Sequence, residues 1–300
     1  MPFDHHLSSL DTSAFDFPVE LRPVHVLNEG QTGESAIETI QAASHKAVFR
    51  PDTEEVLAVV SNRYKLTPHV EIFDAFNDVL DAAGLATGRL EVKDHIMDDG
   101  ALAMRSINFL DHEIDVGNSQ NSDPVAFRVD IYNSVNGRWA FHQIAGAIRF
   151  ACLNGMVSGD MAFWSRIRHT RRIRPESEAS RLTNALNAME KSADEYRKMR
   201  QTGVREDAVQ NLFKNTLAAA PTRSDPKAVN KTQLDGLLKQ YDNERHKLGE
   251  NAWAVFNTAT HWSSHPNVKR ADPAIVSHDR QAKVAAMLNS PEWDRIVMRP

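Results

Sequence analysis

Five arginines fall within nine positions, at Arg166, Arg168, Arg171, Arg172 and Arg174, with His169 among them and no acid between them. A guanidinium stays charged at any physiological pH and offers paired donors that match phosphate oxygens. The tract is therefore a candidate track along a nucleic-acid backbone, and Arg149 stands close upstream. Trp139, Phe141, Phe150 and Trp164 are rings on which unpaired bases could stack, although aromatics in such a stretch also suit a core. A second reading fits the same residues: a solvated strand or linker whose charges pair with Glu176 and Glu178.

Other constellations carry weaker chemistry. Cys152 could act as a nucleophile with His142 or His169 as base and Asn154 as orienting group, and Arg149 would favour its thiolate. Flanked by Ala151 and Leu153, it reads better as a small buried hydrophobe. His261 and His265 have the spacing of two ligands on one helix face, but Trp262-Ser263-Ser264 between them lacks a metalloprotease glutamate and no third ligand is evident. Asp52 with Glu91-Val92-Lys93 resembles the signature of restriction-type nucleases, in which two carboxylates and a lysine hold magnesium against phosphate. Glycine-rich phosphate loops are absent. No catalytic residue, resident metal or cofactor is expected on this pattern.

The elements that must position these residues follow from periodicity. Residues 1 to about 40 mix Asp, Ser, Gly and Pro, and read as an arm or loosely ordered lead-in. Ala47 to Arg50 and Val56 to Val60 read as a hairpin around Pro51 to Glu55. Thr67 as N-cap and Pro68 as first helical residue open a helix that Gly84 ends, with Val70, Ile72, Phe73, Phe76, Val79, Leu80 and Ala83 on one face. Arg89 to Ile96 and Ala101 to Leu110 are strands about Asp98-Asp99-Gly100. Val125, Phe127, Val129 and Ile131 alternate with Ala126, Arg128, Asp130 and Tyr132, and Asn136-Gly137 turns that strand into Arg138 to His142. Residues 145 to 156 fit neither period. Beyond Pro175 the chain turns rich in Ala, Glu, Lys, Arg and Met at helical spacing. The fold class expected is α+β: an antiparallel sheet packed with a helix, followed by a mainly helical C-terminal half. The expected divisions are an arm at 1–40, an α+β core at 41–175 and a helical region at 176–300.

Composition bounds the partners. The chain has 300 residues and a net charge of −5, which excludes a protein that coats nucleic acid with its whole surface and confines such binding to a patch. One cysteine suits a reducing compartment. The N-terminus has no basic region leading into an apolar stretch, and no apolar run reaches membrane-spanning length, so the expected place is the cytoplasm of a bacterial host cell, away from membranes.

Several segments together resemble a known family. Ser61-Asn62-Arg63-Tyr64 before a helix, Tyr132 to Gly137, Ile148 to Met156, Arg168-His169-Thr170 and Asn251 to Asn257 look, in that order, like the motifs of domain of unknown function 932, the phage/plasmid-like protein family. The resemblance covers about residues 40 to 266. It implies a bacteriophage or mobile-element setting and no established activity. The element order from residue 68 to 156 is also similar to the core of single-strand annealing proteins. That likeness implies a basic groove beside the sheet that holds a stretched strand, and assembly into rings or filaments. The annealing proteins carry their cations on the helix after the sheet, whereas here they gather at Arg166 to Arg174. The expected function is a non-enzymatic phage or plasmid DNA-metabolism protein, a homo-oligomer that binds single-stranded DNA and assists recombination or annealing. Arg149, Arg166, Arg168, His169, Arg171, Arg172 and Arg174 would hold the strand. The alternatives are a magnesium-dependent nuclease using Asp52, Glu91 and Lys93, and a structural or interaction protein of a mobile element.

Overall fold

Alternation in the middle of the chain builds its largest layer. In the computed structural model, which describes residues 10–28, 38–117, 122–149, 154–156, 163–167, 175–267 and 272–297, two antiparallel sheets carry the strands. The smaller joins β1 (Glu20–Asn28), β2 (Glu38–Arg50) and β3 (Glu55–Ser61) in that order. The larger runs β4 (Leu90–Met97), β5 (Leu102–Asp115), β6 (Pro124–Ser134), β7 (Phe141–Arg149) and β8 (Asn154–Met156), with β9 (Phe163–Ile167) also paired to β7. On β6 the residues Val125, Phe127, Val129 and Ile131 enter the main core, while Tyr132 faces a second cluster with Met97, Leu102, Met104, Trp139 and Ile144. One strand thus feeds two apolar layers through its period of two.

Helix α1 (His69–Ala82) lays Ile72, Phe73, Phe76, Val79 and Leu80 on the sheet. It begins one residue later than expected: Pro68 is extended at ψ 152° and occupies the capping position, without a side-chain cap. The first turn is held by His69 instead. Its Nε2 donates to the Gly100 carbonyl at 2.9 Å, and its Nδ1 accepts from the Asn133 amide at 2.9 Å. Because a carbonyl can only accept, the hydrogen must sit on Nε2. Gly84, at φ 68°, ends the helix in the left-handed region, and the Leu85 amide reaches back to the Leu80 carbonyl.

One expectation fails in part and one open stretch resolves, each for an identifiable reason. Part of the anticipated lead-in is built into the fold: Glu20–Asn28 pairs with β2, and Phe15 is fully buried, stacked on Phe73 at 3.9 Å. β1 is an edge strand, which tolerates Pro23 and a register shift between Pro23 and His25, so its sequence reads as loop. Residues 145–149 complete β7, and 154–156 form β8 against it, so the described parts of the ambiguous stretch are strand. β7 is covered on both faces, with Phe141, His142, Gln143, Ile144 and Ala145 all buried, and a strand buried on both sides has no alternation to read.

The C-terminal half is helical as expected: α2 (Pro175–Lys191), α3 (Ala193–Gln201), α4 (Glu206–Asn215), α5 (Lys231–Leu248), α6 (Ala252–Ser264), α7 (Pro273–Leu288) and α8 (Pro291–Val297). Helix α6 is buried nearly all round, from Ala252 to Thr260, and its Trp253 and Phe256 belong to the same core as Phe73 and Phe127. Asn251 caps it, accepting from the Ala254 amide at 2.9 Å while its own amide donates to Leu248 at the end of α5. Asn251→Ala should cost about 1–2 kcal/mol in a urea melt, because it orphans a helix-terminal amide and the α5 carbonyl together.

Candidate nucleic-acid interface

Register across the larger sheet orders the polar residues on the face away from α1. Glu91, Asn108 and Arg128 stand in one row; Lys93, Ser106 and Asp130 in the next; Met104, Tyr132 and His142 in a third. Within the rows the Asn108 amide donates to Glu91 at 2.9 Å, Lys93 pairs with Glu91 at 3.0 Å, and Arg128 holds Asp130 at 2.8 Å and the Ser106 hydroxyl at 3.0 Å. The Asn108 hydrogen bond, then Lys93, keeps the Glu91 carboxyl below its usual range.

At the third row the face becomes aromatic. Tyr132 stacks on His142 at 4.6 Å between ring centres, with Trp139 edge-on to Tyr132 at 5.5 Å. Helix α7 closes over them: the Tyr132 hydroxyl donates to Gln281, and His278 lies 2.9 Å from His142, Nε2 to Nε2. Burial drives the Tyr132 phenol well above its ordinary pKa and the His278 imidazole below its own. The turn from β6 to β7 joins this cluster to the segment before α1. Ser134 donates to the Trp139 carbonyl at 2.7 Å, Tyr64 donates to the Ser134 carbonyl at 3.4 Å, and burial pushes the Tyr64 phenol up to about 12.

The described chain on each side of residues 168–174 contacts β7. Ile167, the last residue of β9, pairs with Phe141, and α2 returns to the same strand where Gln143 donates to Glu178 at 2.5 Å. Of the residues expected to hold nucleic acid, Arg149 is the end of β7, paired with Val125 and Asn154, and Arg166 is on β9 opposite His142. Arg168, His169, Arg171, Arg172 and Arg174 lie outside the described residues, as do Cys152 and Phe150. Trp139 and Phe141 are buried, so neither presents a ring to a base. The two oxygens of Glu178 accept from Gln143 and Arg181.

The nuclease residues are not assembled. Asp52 sits in the β2–β3 turn of the smaller sheet, held by Arg50 through two hydrogen bonds of 2.9 Å, whereas Glu91 and Lys93 lie on β4 of the larger sheet and pair with each other. His261 and His265 are stacked face to face at 4.4 Å and 16°, an arrangement in which ring faces meet and nitrogen lone pairs do not converge. Among the described residues no group of three or more His, Cys, Asp or Glu side chains is arranged to hold a metal ion. No helix among them is long and apolar enough to cross a membrane.

The stretch that holds these rows carries a family match: the family described as Domain of unknown function (DUF932) matches residues 56–287. The chain belongs to this family. No curated protein and no solved structure matches it. The family's own description names no activity, so function has to be argued from the interface.

Proposed function

We propose that this DUF932 protein binds single-stranded DNA along the β7–β9 edge of its larger sheet and assists recombination or annealing without breaking bonds, as a homo-oligomer in the cytoplasm of a bacterial host. The observation that carries this reading is the double anchorage of the arginine tract on β7, at Phe141 and Gln143.

The pairing habits of the other arginines support the same conclusion. Arg50, Arg128 and Arg205 each hold an acid two residues along, at Asp52, Asp130 and Asp207. The tract contains no such partner, and the first acids beyond it are Glu176 and Glu178. Binding would run through neutralisation of phosphates, with bases stacking on rings that subunits present together. The likeness to annealing proteins adds element order only.

An electrophoretic shift series on single- and double-stranded oligonucleotides, with magnesium and rising salt, tests the reading. Single-strand binding that falls steeply with salt and leaves the oligonucleotide whole is the expected outcome, with light scattering reporting a mass of several chains. Absence of binding at low salt would overturn it. Magnesium-dependent cleavage lost in Glu91→Ala would replace it with the nuclease.

A further inference from the structure

The smaller sheet turns one face to the body of the protein and the other to solvent. Its inner face carries Val48, fully buried, and Arg50, which donates to the Asp99 carbonyl and lies over the Phe17 ring. Residues paired in register share a face, so the strand pairing defines the outer one. Glu20, Phe49 and Val56 form one row across it, and Arg22, Ala47 and Val59 the next. An even number of residues beyond Arg22 on the same strand, Val26 continues this face and stands opposite Ile40.

This outer face is apolar where solvent would favour polar side chains. Val26, Ile40, Val56 and Val59 are between 53% and 60% exposed. Apart from Leu27 on the other side of β1 and Ile96 on β4, no other large hydrophobic among the described residues is exposed. Single exposed apolar side chains are ordinary, but a cluster on one sheet face marks a contact surface. The sheet's edges are poor templates for a further strand. Pro23 and a register shift blunt the β1 edge, and a second shift, between Val48 and Phe49, disturbs the pairing beside β3. The contact therefore falls on the face.

We propose that two copies of this chain pack outer face to outer face through the smaller sheet, forming a sandwich about a twofold axis. Charge and area select a second copy over another protein. The charges in the two rows at the base of the sheet are Glu20 and Arg22, half-exposed and of opposite sign. A twofold axis sets Glu20 of one copy against Arg22 of the other and the reverse, so the surface complements itself, whereas a strongly acidic or basic partner meets a like charge. Each of the four open side chains buries about 90 Å² in such a contact. With about 60% of an interface apolar, this core implies about 600 Å² on each copy and about 1,200 Å² together, the lower end of stable interfaces. Aligned sheets pack about 10 Å apart at about 30°, a geometry that each copy offers the other equally. β1 and β2 precede the stretch that matches the family, so the contact lies mostly outside it. The inference rests on the homo-oligomer of the DNA-binding reading, for which it supplies a surface, and needs no DNA.

Sedimentation of the full chain without DNA, from nanomolar to high micromolar concentration, is the test. Masses in multiples of two chains are expected. Val59→Lys and Ile40→Lys each bury an unpaired charge on association and should weaken it at least about 100-fold. Their circular dichroism should stay with the parent, since both positions are open in the single chain. Charge exchange reads the twofold axis: Glu20→Arg and Arg22→Glu should each weaken self-association by about tenfold, and mixing the two variants should restore it. A single-chain mass at every concentration would give the face to a different partner and overturn the proposal together with the homo-oligomer. Multimers indifferent to both lysine variants overturn this contact alone. Mixed charge variants that associate no better than either by itself overturn the twofold packing.

Discussion

Replacing Arg168, Arg171 and Arg172 together with alanine is expected to weaken single-stranded DNA binding by about 100-fold at low salt and to flatten the salt dependence by about two units of slope. Each guanidinium that neutralises a phosphate releases about 0.7 of a counterion from a single strand, so three contacts contribute about 2 to the slope. At about 1 kcal/mol for each solvent-screened contact, three amount to roughly two orders of magnitude in affinity. Arg205→Ala is the matched control, since that guanidinium already holds Asp207 at 2.7 Å on α4; binding should change less than about twofold. The anchors of the tract, at Ile167 and at Gln143 with Glu178, are untouched by the triple change, so the melting temperature should stay with the parent. Fluorescence anisotropy against salt measures both quantities in one series. Equal affinity and equal slope in the two proteins would make the tract structural and leave the interface without its main cations.

What the chain discloses by itself depends on whether the two faces of an element differ in chemistry. β6 is buried on both sides, but Arg128 and Asp130 on one face interrupt the apolar residues, so the alternation of Val125, Phe127, Val129 and Ile131 announces it, as the stripe from Ile72 to Leu80 announces α1. β7 is buried on both sides and β1 is an edge strand carrying Pro23; periodicity is blind to the first, and proline disguises the second. The arginine tract is visible in sequence because its signal is local. Its tethers on β7 are not, since Phe141 and Gln143 gain meaning only through strand pairing. Spacing even misdirects: His261 and His265 look like ligands at four residues and stack instead, while His142 finds His278 at a separation of 136. A further signal is legible in the sequence. The repeated pattern of an arginine followed two residues later by an aspartate, at Arg50, Arg128 and Arg205, marks cations neutralised at home and sets the acid-free tract apart.

Asp123→Ala should destabilise the protein by about 3–5 kcal/mol, the usual cost of leaving a buried charge without its partner. Asp123 is 3% exposed at the start of β6, and its Oδ2 accepts from Arg200 of α3 at 2.9 Å and from the Trp253 indole of α6 at 3.1 Å. Its backbone closes the β5–β6 connection as well, with its amide on the Asp115 carboxylate at 2.8 Å and its carbonyl accepting from Val116 at 3.1 Å. The Asp123 and Gly117 amides together hold the Asp115 carboxyl below its usual range, and α3 adds Arg197, which donates to the Asp115 carbonyl at 2.9 Å. One carboxylate thus joins the sheet to two helices of the C-terminal half. Removing it strands the Arg200 guanidinium, 15% exposed, and the indole hydrogen of a fully buried tryptophan. Asp123→Asn keeps an acceptor for the indole and loses only the charge, so its cost should be smaller, about 1–3 kcal/mol. In urea unfolding the alanine variant should shift the midpoint at constant slope, because the surface exposed on unfolding is unchanged. A domain stability of about 5–15 kcal/mol leaves little reserve after such a loss, so the variant should also melt well below the parent. An alanine variant within about 1 kcal/mol of the parent would mean that Arg200 and Trp253 find water or other acceptors, and that the sheet and the helices are held together by their shared apolar core alone.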